Sequence, residues 1–182
     1  MLPIETPRLI LRELAAGDLP AVISYYCDPE VTAHMVWGPV NTPEDAANYL
    51  NWAIACQNAQ PRRTWELAVT LRATGEVIGS VELEISNAAH REGEIGYLLA
   101  RAHWGRGYAT EAARTITAFG FDQLGLHRIW ATCSPANMGS ARVLQKCGMT
   151  REGHLRAHRL LKDGTWRDSL LYAVLENEYE PG

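Results

Sequence analysis

The 182-residue chain predicts a mixed α/β domain of about seven strands and about four helices, and three observations carry that reading. Strand-like apolar runs and amphipathic helical stretches are interleaved along the chain. Helix starts are marked by capping residues and prolines, and turns by glycine. The apolar run Glu94–Leu99 leads through Gly105 and Gly107 into a helix whose Ala109, Ala112, Ala113, Ile116 and Phe119 approximate one buried face. The length favours a single domain over residues 1–182. Such a chain buries roughly 70% of its unfolded surface and needs no disulfide or metal staple.

The elements follow in order. Arg8–Leu14 is apolar and β-favouring, and gives the first strand. Asp18-Leu19-Pro20 reads as a helix start, with Asp18 as cap and proline in the first turn. A loop from Thr32 to Pro43 carries His34, Met35 and Trp37. Thr42-Pro43-Glu44-Asp45 opens the second helix, which runs to about Asn58. Trp65–Leu71 and Val77–Ile85, joined by Ala73-Thr74-Gly75-Glu76, predict a hairpin. Val81, Leu83 and Ile85 alternate with Glu82 and Glu84, so one face of that strand is solvated or faces a cleft. The glycine-led helix ends near Leu124, with Gly125 after its last turn. A strand at Ile129–Cys133 precedes a helix from Asn137 to Cys147-Gly148. Lys162–Thr165 turns between Arg159–Leu161 and the strand Ser169–Leu175.

Composition narrows the function. The net charge is −4 and no lysine or arginine run occurs, which argues against a nucleic-acid partner. No leader peptide and no apolar stretch near eighteen residues is visible, so neither export nor a membrane span is expected. Cys27, Cys56, Cys133 and Cys147 form no Cys-x-x-Cys pair and read as free thiols of a cytoplasmic protein. His154 and His158 stand four apart but lie in a strand-like region without an obvious third ligand, so no metal is expected.

The segment Trp104-Gly105-Arg106-Gly107-Tyr108-Ala109-Thr110 has the chemistry of an anion site. The first N–H groups of a helix lack partners, and the helix dipole places roughly half a positive charge there. Gly107 permits close backbone approach and Arg106 adds a cation. The alternative is a tight strand-to-helix turn without ligand. Neither a Walker loop nor a dinucleotide fingerprint is present.

Three segments together resemble the GNAT superfamily of N-acetyltransferases, and within it the branch that acetylates the N-termini of ribosomal proteins. They are Thr6-Pro7-Arg8-Leu9-Ile10-Leu11-Arg12, Glu94–Ala112, and Asn137-Met138-Gly139-Ser140 with Lys146-Cys147-Gly148-Met149. The resemblance implies a mostly antiparallel sheet with a central splayed parallel pair, and acetyl-CoA as cofactor. Gly105, Arg106, Gly107, Tyr108, Ala109 and Thr110 would hold its pyrophosphate. Tyr97, Leu98 and Leu99 would line its pantetheine arm, with Asn137 and Ser140 contacting the arm from the next helix. Asn137 reads equally as that helix's N-cap. Trp104 stands where the wider pattern has Gln or Arg, and Leu144 where many members carry the tyrosine that protonates the leaving thiolate. Ser140, one turn earlier, is the substitute.

Acetylation needs a neutral amine. At pH 7 deprotonation costs roughly 4.6 kcal/mol for a lysine amine and about 1.4 kcal/mol for an α-amine. The resemblance makes Glu94 the first candidate for the base, against a structural role pairing an arginine such as Arg101. Glu82 and Glu84 follow. A strand amide near Leu99 would stabilise the oxyanion. Glu82, His34, Met35, Trp37, Trp65, Asp168 and Tyr172 are candidates for lining the acceptor cleft, with core packing as the alternative for the aromatics. The expected activity is direct acetyl transfer in a ternary complex to a primary amine, foremost a protein N-terminal α-amine. A small amine (polyamine, amino acid or antibiotic), a catalytically silent acyl-CoA sensor and a nucleotide-phosphate binder are the other readings. The chain is expected to act as a monomer or homodimer.

Overall fold

The computed structural model describes residues 2–35, 37 and 42–180. Within them lie eight strands and five α-helices: β1 (Ile4–Glu5), β2 (Leu9–Glu13), α1 (Leu19–Tyr26), α2 (Pro29–Thr32), α3 (Pro43–Gln57), β3 (Thr64–Leu71), β4 (Val77–Asn87), β5 (Glu92–Leu99), α4 (Tyr108–Asp122), β6 (Arg128–Cys133), α5 (Met138–Lys146), β7 (Thr150–Leu160) and β8 (Trp166–Leu175). The additions to the expected set are the two-residue β1 and the single-turn α2. Both are too short to carry a periodic signal. In addition, β7 begins at Thr150, well before the expected Arg159. Val36 and residues 38–41 of the expected early loop lie outside the described residues.

The helix starts show how local chemistry sets the elements. Thr42 and Asp45 satisfy each other's backbone N–H in a capping box, with Pro43 at the first helical position. Asp18 does precede α1, but its side chain does not cap that helix. Its carboxylate instead takes two bonds from Arg12, at 2.7 and 2.8 Å, and one from the Ala15 N–H at 2.8 Å. A bidentate guanidinium outcompetes a helical amide for the same oxygens.

All strands join one sheet in the order β1-β2-β3-β4-β5-β6-β8-β7. Every pairing is antiparallel except β5 with β6. That parallel contact covers only Glu92, Gly93 and Glu94 against Arg128, Ile129 and Trp130. Beyond Glu94 the two strands separate, although β5 continues to Leu99 and β6 to Cys133. The expected splay is therefore present at the centre of the sheet.

Strand alternation sends the two sheet faces into separate cores. Leu67, Val69, Val81, Leu83, Ile95 and Leu99 pack with Ala112, Ala113 and Ile116 of α4 and with Ala141 and Leu144 of α5. Gly120 lets α4 lie close, since a Cβ there would stand 2.6 Å from Ile129 Cδ1. On the opposite face Ala68 and Leu98 pack with Val22 and Tyr25 of α1 and Ala46, Leu50 and Ala53 of α3. The second face is thinly covered toward Gly96, and a cavity opens there.

Candidate active site

The expected anion site lies at the β5–α4 connection. Gly105 and Gly107 both adopt left-handed backbone, with φ of +73° and +80°, a conformation that costs other residues about 1 kcal/mol or more. A Cβ at Gly105 would meet nothing within 4 Å, so the surface is open there. No side chain caps α4 at Gly107, leaving the N–H groups of Tyr108, Ala109 and Thr110 at the head of a 15-residue helix. These features fit a bound pyrophosphate. The loop is held from outside. Arg8 Nη1 donates to the Arg106 carbonyl at 2.9 Å, and the Arg8 guanidinium lies 4.7 Å from the centre of the Tyr108 ring. Trp104, although half-exposed, donates its indole N–H to the Leu99 carbonyl at 2.7 Å.

The splay supplies a slot for an extended ligand. The Ala100 N–H donates to Ile78 on β4, so alternate residues on β5 face β4. By the same alternation the backbone groups of Tyr97 and Leu99 face the side that β6 has left. Across this gap the Tyr97 hydroxyl donates to the Ser140 carbonyl at 3.1 Å and lies 2.8 Å from Ser140 Oγ. Burial pushes the Tyr97 phenol above its ordinary pKa, so it stays protonated. Asn137 serves as N-cap of α5, accepting the Ser140 N–H at 3.0 Å. Leu144 is fully buried and carries no proton donor to the gap.

On the other face of β5 lies a cavity of about 510 Å3, in the range of small-ligand pockets. Tyr26, Tyr49, Trp37 and Trp52 form its walls, Glu66, Ser80, Glu82, Gly96 and Leu98 its floor, and Asp45 and Lys162 stand among the polar lining residues. Tyr26 stacks between Trp37, with ring centres 5.6 Å apart, and Tyr49, at 4.8 Å. The Tyr49 hydroxyl donates to Glu66 Oε1 at 2.5 Å and lies 2.9 Å from Ser80 Oγ. Burial raises the Glu66 carboxyl toward neutrality; Glu82 is raised by burial and by the Glu66 charge. Glu94, on the same strand face as Gly96, is raised to about 6, mainly by burial, against the opposing pull of Arg159 at 3.5 Å.

The structure brings together only part of the expected acceptor set. Glu82, Trp37 and Met35 line the cavity. His34 is half-buried and feels Arg167. Trp65 does not reach the cleft. It lies in the α4-side core, edge-on to Phe119 and beneath Arg62, because it occupies the opposite strand phase from Glu66. Tyr172 is likewise a core residue, 2% exposed. Asp168 is turned to its own hairpin, on His154 Nε2 at 2.7 Å and the Ala157 N–H at 2.8 Å. Glu94 pairs with Arg159 rather than with Arg101, which reaches Asp28 and Glu30. Glu84 is exposed. Sequence reasoning missed Glu66. Its signal was the one charged residue inside the otherwise uncharged run Trp65–Leu71.

Residues 8–150 match the acetyltransferase (GNAT) domain family. An uncharacterized N-acetyltransferase of Bacillus subtilis, YnaD, is 37% identical over 176 residues, covering 97% of this chain and 98% of that protein. A spermidine N(1)-acetyltransferase of Vibrio cholerae is 26% identical, covering 94% of this chain and 95% of its own length. Mycobacterium smegmatis RimJ, solved in complex with CoA-disulfide, superposes with a TM-score of 0.83 at 26% identity, covering 97% of this chain and 90% of that one. Fold and site together define an acyl-group transferase. The chain belongs to the GNAT family of acetyltransferases and is an acetyl-CoA-dependent N-acetyltransferase. No helix among the described residues is long and apolar enough to cross a membrane.

Proposed function

We propose that this enzyme acetylates the primary amine of a small cationic acceptor held in the cavity between α1, α3 and β5. The observation that carries this reading is the cavity's make-up: aromatic walls over two carboxylates, reaching the Gly96 side of the strand whose other edge faces the splay. Aromatic faces and carboxylates attract an organic ammonium ion. The spermidine acetyltransferase among the relatives agrees with an acceptor of this class.

Acetyl-CoA supplies the activated acetyl group. Tyr108, Ala109 and Thr110 would hold its pyrophosphate with Gly105, Arg106, Gly107 and Trp104 shaping the loop. Tyr97, Leu98, Leu99 and Asn137 would bound its arm. Glu82 takes the proton from the acceptor ammonium, its raised pKa matching a base that works near neutrality. Glu94 is the outer carboxylate of the same face, placed to relay that proton toward solvent. The Leu99 N–H, facing the splay side by strand alternation, stabilises the developing oxyanion. Ser140, hydrogen-bonded to Tyr97, donates a proton toward the departing sulfur in place of the tyrosine that Leu144 replaces.

A protein N-terminal α-amine is the second reading, favoured by the opening segment Thr6–Arg12 and by the smaller cost of deprotonating an α-amine. Thiol release from acetyl-CoA, measured against polyamines, aminoglycosides, lysine peptides and peptides with N-terminal Ser or Ala, decides between them. Polyamines or another small cation should exceed the N-terminal peptides at least tenfold in kcat/KM. Turnover of N-terminal peptides alone would replace the first reading with the second.

A further inference from the structure

The cavity floor contains an arrangement that stability alone disfavours. Glu66 on β3 and Glu82 on β4 are direct cross-strand partners on the same sheet face. Like charges placed opposite each other destabilise a sheet, and burial of uncompensated carboxylates adds to that cost. Glu66 is 4% exposed. Among the described residues no arginine, lysine or histidine nitrogen comes within ion-pair distance of either carboxylate. The two differ in access. Glu66 is enclosed and accepts the Tyr49 hydroxyl, whereas Glu82 is only partly covered and no described group hydrogen-bonds its side chain. Glu82 continues the row toward β5, where it faces Gly96; a Cβ there would stand 3.6 Å from Glu82 Oε2. The row therefore runs Glu66, Glu82, Gly96, from the enclosed floor toward the strand beside the splay.

We infer that Glu66 and Glu82 form a single two-carboxylate receptor for the acceptor's ammonium group, in which Glu66 is the fixed counter-charge and Glu82 is the proton acceptor. The inference rests on the proposed acetylation of a cationic amine. In the empty pocket the pair shares a proton, because two adjacent buried carboxylates do not both ionise. An entering ammonium ion replaces that proton as the compensating positive charge, and the shared proton leaves to solvent as the ammonium enters. One N–H bond of the ammonium then breaks and an O–H bond forms on Glu82. The nitrogen keeps the electron pair and becomes the nucleophile, and Glu66 stays anionic during that transfer. The groups that face Glu82 are Glu66 from β3, Glu84 from its own strand, Glu94 with its partner Arg159, Cys56 and Tyr49 from α3, and Tyr26, Asp45 and Lys162 around the cavity. Of these only Glu66 is both a direct cross-strand neighbour and fully enclosed, so it dominates the coupling.

The test uses Glu66→Gln in the full chain, since Gln keeps an oxygen for the Tyr49 hydroxyl. In 13C NMR titration of the glutamate carboxyls of the free protein, Glu82 should titrate in the neutral range in wild type and at least one pH unit lower in Glu66→Gln. With the acceptor amine that turns over best, Glu66→Gln should raise KM at least tenfold, more than kcat falls. The acid limb of kcat/KM should move to lower pH by about the NMR shift. A Glu82 titration that is the same in both proteins overturns the inference, as does a loss in kcat with an unchanged KM. If wild type acetylates no cationic amine, the proposed function fails instead, and the NMR comparison separately reports whether the two carboxylates are coupled.

Discussion

The Arg8 guanidinium grips Glu111 in the first turn of α4, with Nε and Nη2 each 2.6 Å from Oε2. The Thr6 hydroxyl and the Arg8 N–H bind Oε1 of the same carboxylate, at 2.6 and 3.1 Å. Because Arg8 also holds the Arg106 carbonyl, the opening Thr6-Pro7-Arg8 segment braces the glycine turn, the proposed cofactor loop, from behind. Arg8→Ala should therefore weaken CoA binding severalfold by calorimetry while leaving the amine KM within about twofold, a change on the order of 1 kcal/mol. An unchanged CoA affinity would show that the loop holds its shape unaided.

Glu111 itself combines an N-terminal helix position with three hydrogen-bond donors, and these hold its carboxyl below the ordinary range against the opposing effect of burial. A lowered pKa stabilises the fold above the unfolded value of about 4.3, and that contribution fades as pH falls through the folded value. Glu111→Gln should lower the unfolding free energy measured in urea at pH 7 by about 1–2 kcal/mol, with the deficit shrinking below pH 4. A deficit that does not depend on pH would point to lost packing instead.

Gly107→Ala places a Cβ on left-handed backbone at φ +80°, 3.4 Å from the Arg8 guanidinium. The expected outcome is a loss of about 1 kcal/mol in stability with a larger fractional loss in CoA affinity. Thermal unfolding with and without CoA separates the two effects. Equal losses with and without CoA would count against a direct role of this turn in binding phosphate.

Glu66 and Glu82 have folded-state pKa values above the unfolded one, so the folded protein carries more protons than the unfolded chain between about pH 4.3 and neutrality. The pair's contribution to stability is thus greatest on the acid side and declines as pH rises through the folded values. Between pH 5.5 and 8.5 Glu66→Gln should flatten this decline by about 1–3 kcal/mol in urea unfolding. A wild-type curve that is already flat over this range would contradict the burial of the pair.

Ser140→Ala and Tyr97→Phe remove the two hydroxyls that meet across the splay. Each should lower kcat roughly 10- to 100-fold with the KM for acetyl-CoA changed less than threefold. If only Tyr97→Phe slows the chemistry, the phenol and not the serine supplies the proton.

Much of the fold was legible because it rests on local chemistry. The capping box of Thr42 and Asp45, the alternation of Val81, Leu83 and Ile85, and the paired glycines before α4 each leave a short-range signature. The elements that escaped notice were β1 and α2, which have too few residues for periodicity. In the site, Trp65 read as a cleft aromatic and Glu66 went unremarked, because a strand's phase relative to a cavity is not written in the strand itself. The partner of Glu94 was misplaced for the same reason: Arg101 is near in sequence, whereas Arg159 arrives from the β7–β8 hairpin.

The sequence by itself determined the class of fold and the glycine turn that heads α4, since both depend on backbone propensities within a few residues. Only the tertiary structure decided at which residue β5 and β6 part, that Tyr97 meets Ser140 across the gap, and that Glu66 stands opposite Glu82. These relationships depend on strand register and order, which are fixed by burying both faces of one sheet at once.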